Sequence, residues 1–198
     1  MNNRIPRSTL LYQALSPKAK GKYLFALFIG MMLINAYFSW FSGLLSQGQT
    51  QLPNGSPILP LDLRSGYTHE EVQVFLGFIG ERGRAWYLFT CLVIDMIYPL
   101  IYSLFGILLW MFLLQRAFPT WVGTLYKWVF FPALVGLADV GENLCTALSI
   151  WNYPSDNSLL SQVGSLFTQV KWLLLVFFLA VSMVGIVGNL FNWKKLSH

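Results

Sequence analysis

Long apolar runs, broken by very few polar positions, set the pattern of this chain. Four of them cover residues 23–45, 85–115, 125–151 and 166–190. Each meets the roughly 20 residues that a helix needs to cross the hydrocarbon core of a bilayer. Backbone in lipid must satisfy its own hydrogen bonds, and these runs lack the period-two alternation of a barrel strand, so each is predicted to be a transmembrane helix. Pro99 and Pro132 fall inside the second and third runs and are expected to bend them rather than end them. The predicted fold class is an all-α integral membrane protein, a four-transmembrane-helix bundle that forms one membrane domain over residues 1–198. Its connections are a basic N-terminal segment 1–22, an outer loop 46–84, a turn 116–124, a second outer loop 152–165 and a tail 191–198.

The first outer loop divides in two. QGQTQLPNGSPILP is turn chemistry, with prolines and an Asn-Gly pair. Beyond it, Thr68 and Glu71 have the spacing of a capping box, and Val72, Phe75, Leu76 and Ile79 fall on one helical face. Gly80 suits the stop. A short amphipathic interfacial helix over about residues 69–79 is expected to lie along the outer membrane surface, as a cover for the bundle or as a lid over a site.

Charge then orients the bundle. Arg4, Arg7, Lys18, Lys20 and Lys22 precede the first run, Arg116 and Lys127 bracket the turn after the second, and Lys194 and Lys195 follow the fourth. All three places share one side, which the positive-inside bias makes cytoplasmic. The other side mixes Arg64, Arg82 and Arg84 with Asp62, Glu70, Glu71, Glu81 and Asp156. Both termini are therefore expected in the cytoplasm, with a plasma or inner membrane as the location. The net charge of +5 is accounted for by this flanking, and no basic patch with interleaved aromatics suggests nucleic acid. Hydrophobic residues make up 56% of the chain and charged residues only 11%, a balance unlike that of a soluble globular domain.

Against that background, four ionisable residues deep within the runs stand out: Asp95, Asp139, Glu142 and Lys171. Each costs about 2.5 kcal/mol or more on insertion scales unless it finds a partner or a water-filled cavity. At about 1.5 Å per residue from the outer ends, Asp95, Glu142 and Lys171 fall at one depth of about 13 Å and Asp139 slightly deeper, at about 18 Å. The second run carries Cys91, Asp95, Tyr98 and Tyr102 on one face, the third Asp139, Glu142 and Asn143, and the fourth Gly164, Thr168 and Lys171. Such stripes are too unfavourable to face lipid, so they are expected to converge inward. The predicted ligand-binding set is Asp95, Tyr98, Tyr102, Asp139, Glu142, Asn143, Thr168 and Lys171, with Arg64, Tyr67, Arg82 and Arg84 around an entrance. A plain structural lock between helices accounts for part of this set, but three carboxylates exceed what one lysine needs.

Other chemistry finds little support. Cys91 and Cys145 lie in apolar runs and form no C-x-x-C pair, so they read as packing residues. With only His69 and His198, no metal site or haem is expected, and no cofactor is implied. The many tryptophans and tyrosines read as interfacial belts and packing. Three functions survive: a pocket in the outer half for a small amphiphilic or lipid-like ligand, a membrane enzyme using paired carboxylates on a lipid or isoprenoid-like substrate, and a proton or cation path or accessory subunit. The pocket reading is preferred because it needs only converging stripes. Whether the chain is catalytic stays open. The partners expected are membrane lipids and the amphiphile, with a homo-oligomer or larger membrane complex left open.

Overall fold

The computed structural model describes residues 7–52, 55, 58–155 and 158–196, with side chains from residue 9 to residue 190 within that set. Arg4, the side chain of Arg7, Pro53, Asn54 and Pro57 of the first-loop turn, Asp156 and the side chains of Lys194 and Lys195 lie outside it. Helix dominates throughout: α1 (Arg7–Leu15), α2 (Gly21–Ser46), α3 (His69–Phe89), α4 (Asp95–Ala117), α5 (Val122–Leu125), α6 (Pro132–Asn152) and α7 (Ser158–Leu196). Four helical stretches are long and apolar enough to cross a membrane: Gly21–Ser46, His69–Ala117, Trp128–Asn152 and Ser158–Leu190. Each overlaps one of the four predicted runs; the first, the second and, over the full length of α7, the last extend beyond theirs at both ends, and the second joins the short helix expected over about residues 69–79 to the run that follows it.

The centre of the bundle is the trio α4, α6 and α7, which pack on one another extensively. Helix α2 lies outside this trio, along α4, and has no comparable contact with α7 among the described residues. Little of its apolar length is buried against the rest of the described residues. Contacts at the end opposite the long loop bring Ala19, Leu114 and Val129 into one cluster, so Lys18, Lys20, Arg116 and Lys127 gather at that end. There Trp110 is sandwiched between Phe131 and Phe178, with centroids 5.6 Å and 5.4 Å away, and its Nε1 donates to Ser182 Oγ at 2.8 Å. Helix α1, a segment the hydrophobic pattern left as a plain basic terminus, packs Tyr12 and Leu15 into the same cluster.

One expected feature takes a different form. Pro132 does not bend a helix from within; it is the first residue of α6, and 3₁₀ turn Trp128–Phe130 precedes it. Proline suits that position because a first-turn N–H has no intrahelical partner to lose. The carbonyl of Trp128, which a residue at 132 would otherwise bond, instead accepts from Phe131 N at 3.0 Å.

The loop end is closed by the chain between α2 and α4. The Thr68 hydroxyl accepts from Glu71 N at 3.2 Å, and the Glu71 carboxylate accepts from Thr68 N at 2.7 Å, a complete capping box. The first part of α3 buries Val72, Phe75, Leu76 and Ile79 against Phe41 and Leu45 of α2 and Ala147 and Ile150 of α6. Gly80 then interrupts the helix with φ 66° and ψ −178°, and the chain turns into the second span. That region of backbone space is open to glycine almost alone. A Cβ at Gly80 would meet nothing within 4 Å, so the effect of replacing it is purely conformational. Gly80→Ala is expected to lower stability by about 1–3 kcal/mol, measured by thermal or denaturant unfolding in mild detergent.

Candidate functional site

Asp139 and Glu142 stand one turn apart on α6 and face α7, so a single ammonium reaches both. Lys171 Nζ lies 2.6 Å from Glu142 Oε2 and 3.0 Å from Asp139 Oδ1. The other carboxylate oxygens are also satisfied: Tyr102 OH donates to Asp139 Oδ2 at 2.9 Å and Thr168 Oγ1 donates to Glu142 Oε1 at 2.6 Å. Lys171 Nζ donates to Asp139 Oδ1 and to the Asp62 carbonyl, the latter at 3.3 Å. Glu142 Oε2 is held by the ion pair alone, with no hydrogen bond of ordinary geometry. Glu142 and Thr168 are completely buried, which places this assembly in the interior of the trio.

Asp95 is held by a different device. Pro99 has no N–H, so the carbonyl of Asp95 loses its partner four residues on. Asn143 Nδ2 supplies the missing donor from α6 at 2.8 Å. On the other side, Asp95 N–H closes a π-helical turn, Thr90–Ile94, by bonding Thr90 O. Such turns insert an extra residue into a helix and change the direction of the side chains that follow. Asp95 is buried, and among the described residues its carboxylate has no hydrogen bond or ion pair.

Both arrangements border one cavity of about 730 Å³. It lies between α2 and α7 with α4 and α6 behind it, where α2 and α7 fail to close on each other. Its polar end is formed by Asp62, Asp95, Asp139, Lys171, Tyr98 and Tyr102, and most of its remaining wall is apolar, with Phe38, Phe105, Val135, Leu175 and Phe178 among the residues exposed to it. Asn35 Nδ2 donates to Tyr98 OH at 2.8 Å and ties α2 to this wall. Ligand pockets usually hold about 300–1,000 Å³ and combine an apolar lining with a few placed polar groups.

Of the residues singled out from sequence, Asp95, Tyr98, Tyr102, Asp139 and Lys171 line the cavity. Glu142, Asn143 and Thr168 are buried behind it and reach it only through the groups they hold. The four entrance residues are not grouped as expected. Arg64 and Tyr67 are buried: the Arg64 guanidinium donates to the Leu59 carbonyl from Nε at 3.2 Å and Nη2 at 3.1 Å and lies over the Phe75 ring. Tyr67 N–H donates to Ser165 Oγ at 2.9 Å. Arg82 is exposed, and Arg84 donates to the Leu76 carbonyl and covers the Tyr153 ring.

Three features escaped the sequence reading. Asp62, counted there only as a loop charge, is carried inward because the loop segment around it is fastened to the helices. Leu61 N–H donates to Tyr87 OH at 3.0 Å, and Trp172 Nε1 donates to the Arg64 carbonyl at 3.0 Å. Burial pushes the Asp62 carboxyl above the ordinary aspartate range, opposed by the Lys171 charge and reinforced by Asp139. Its apolar neighbours Ile58, Leu59, Leu61 and Leu63 were the available signal. The polar face of α2, Asn35, Ser39, Ser42 and Ser46, also lines the cavity and has the i, i+4, i+7, i+11 spacing of a helical stripe. The π-helical turn had only the proline and the asparagine to announce it.

No family model, no curated protein and no solved structure matches the chain. The fold itself therefore defines the class: an all-helical chain with four helices suited to span a membrane. Removing one member of the ion-paired trio should leave charge buried without a partner. Lys171→Met is expected to cost about 3–5 kcal/mol, and combining it with Asp139→Asn and Glu142→Gln should restore much of the loss, read by unfolding of the detergent-solubilised variants. Equal stability of the single and triple variants would contradict this.

Proposed function

We propose that this is a multi-pass membrane protein that binds a small amphiphile in the cavity between α2 and α7. The observation that carries the reading is a ligand-sized, largely apolar space whose polar groups are concentrated at one end. A tail fits the Phe and Leu wall, and a head meets the carboxylates. Because α2 packs on α4 and leaves α7 uncovered, the opening lies between two spans, and a lipid-like molecule would arrive from the bilayer without crossing water. The gathering of Lys18, Lys20, Arg116 and Lys127 at the far end supports an orientation with that end in the cytoplasm and the cavity in the outer half. Helix α3 up to Gly80, packed on Phe41, Leu45, Ala147 and Ile150, then lies at the outer interface.

Binding is favoured over acid-base chemistry by the state of the carboxylates. Asp139 and Glu142, which would have to exchange protons with a substrate, are fixed by Lys171, Tyr102 and Thr168. Ser42, half-buried on α2 and lining the cavity, is the place to fill it. Purified in mild detergent, the wild type is expected to retain a small amphiphile in native mass spectrometry, and Ser42→Phe to lose it with its unfolding temperature maintained. Retention that is indifferent to the filled cavity would place the bound molecule elsewhere and defeat the reading.

A further inference from the structure

The charge inventory of the cavity names the ligand's head group. Asp62 and Asp95 both line it, and neither has a cationic side chain as ion-pair partner among the described residues. Lys171 is engaged by Asp139 and Glu142, and Arg64 by the Leu59 carbonyl and the Phe75 ring. Asp95 is the decisive group, because it is only 6% exposed, borders the cavity and has no hydrogen-bond partner for its carboxylate among the described residues. A buried carboxylate left in that condition is costly unless a complementary group arrives. The described residues contain no cluster of three or more His, Cys, Asp or Glu able to hold a metal ion.

We infer that the cavity selects an amphiphile with an alkylammonium head and no phosphate, the ammonium bonding Asp95 beside Asp62. The inference rests on the amphiphile reading above and adds the sign of the head group. Rings border the same end of the cavity: Tyr98 and Tyr102 are in edge contact with centroids 5.2 Å apart, and Trp172 lies on the α7 side. Aromatic faces attract ammonium groups, and attract them more strongly when both are out of water. A phosphate or carboxylate head would instead meet Asp62, Asp95 and Asp139 with like charge, and only one lysine, already shared by two acids, would oppose that repulsion. An uncharged alcohol satisfies hydrogen bonding but leaves the charge unbalanced.

The test compares n-dodecylammonium with n-dodecanol, matched in chain length, on the full chain in nanodiscs of zwitterionic lipid at neutral pH. Affinity is read by native mass spectrometry and by the ligand-induced shift in unfolding temperature. Wild type is expected to bind the amine about tenfold or more tightly than the alcohol, and Asp95→Asn to lose about that factor for the amine alone, the scale of a charged hydrogen bond. Asp62→Asn, outside the spans, carries the same comparison if Asp95→Asn does not fold. Equal binding of the two probes, or an equal loss of both in the variants, overturns the ammonium inference and leaves the amphiphile reading standing. Failure of wild type to bind either probe, with Ser42→Phe also without effect, overturns both.

Discussion

Because Lys171 is shared between Asp139 and Glu142 within the α4–α6–α7 trio, those helices cannot rotate or slide far without leaving buried charge unpaired. In hydrocarbon, apolar packing gives little preference among helix registers, since lipid tails are as apolar as leucine. One buried ammonium ion-paired to two carboxylates does discriminate. Tyr102 brings α4 into the same network through Asp139, Thr168 adds a second contact from α7 to Glu142, and the Asp62 carbonyl brings in the loop.

Helix α4 shows how a second constraint acts on the first. A proline four residues after Asp95 frees the carbonyl of that same residue, and Asn143 satisfies it from α6, next to Glu142. The π-helical turn ending at Ile94 alters the phase of the helix just before the aspartate. The close approach of α4 and α6 that this bond needs is secured at Gly136, where a Cβ would meet the Ser103 hydroxyl and lie 3.2 Å from the Pro99 carbonyl. A polar residue, a proline and a glycine therefore serve one geometry, in which Asp95 is presented to the cavity while its backbone is fully bonded.

The sequence was most informative where the physics is local or one-dimensional. Length and hydropathy locate spans because lipid leaves helices few alternatives, and the Thr68–Glu71 capping box and Gly80 mark helix limits through backbone geometry alone. Converging stripes were legible because charge cannot face lipid, which is why Asp139, Glu142 and Lys171 could be grouped without a structure. Asp62 was not, since its depth depends on how the loop packs rather than on its own helix. The serines of α2 were passed over for another reason: Ser39, Ser42 and Ser46 cost little in a membrane helix and so give weak evidence of facing inward. Arg64 misled in the opposite direction, as an arginine in a loop looks exposed until a backbone carbonyl and an aromatic ring are found to hold it.

What separates a structural charge cluster from a binding site is whether its groups are used up. A lock should be neutral and complete, and Asp139 and Glu142 with Lys171 are one charge short of neutral, with Glu142 Oε2 held by ion pairing alone. Adding Asp62 and Asp95 to the same cavity increases the imbalance, and the fold supplies neither with a cation although an ammonium stands in the same cavity wall. If the only role of these acids were to fasten helices, amides in their place would hydrogen-bond as well at a lower cost of burial. Their presence beside a gap between α2 and α7 instead suits the proposed partner that brings its own charge, and α2, packed on α4 at the periphery, leaves that gap beside the ion-paired cluster.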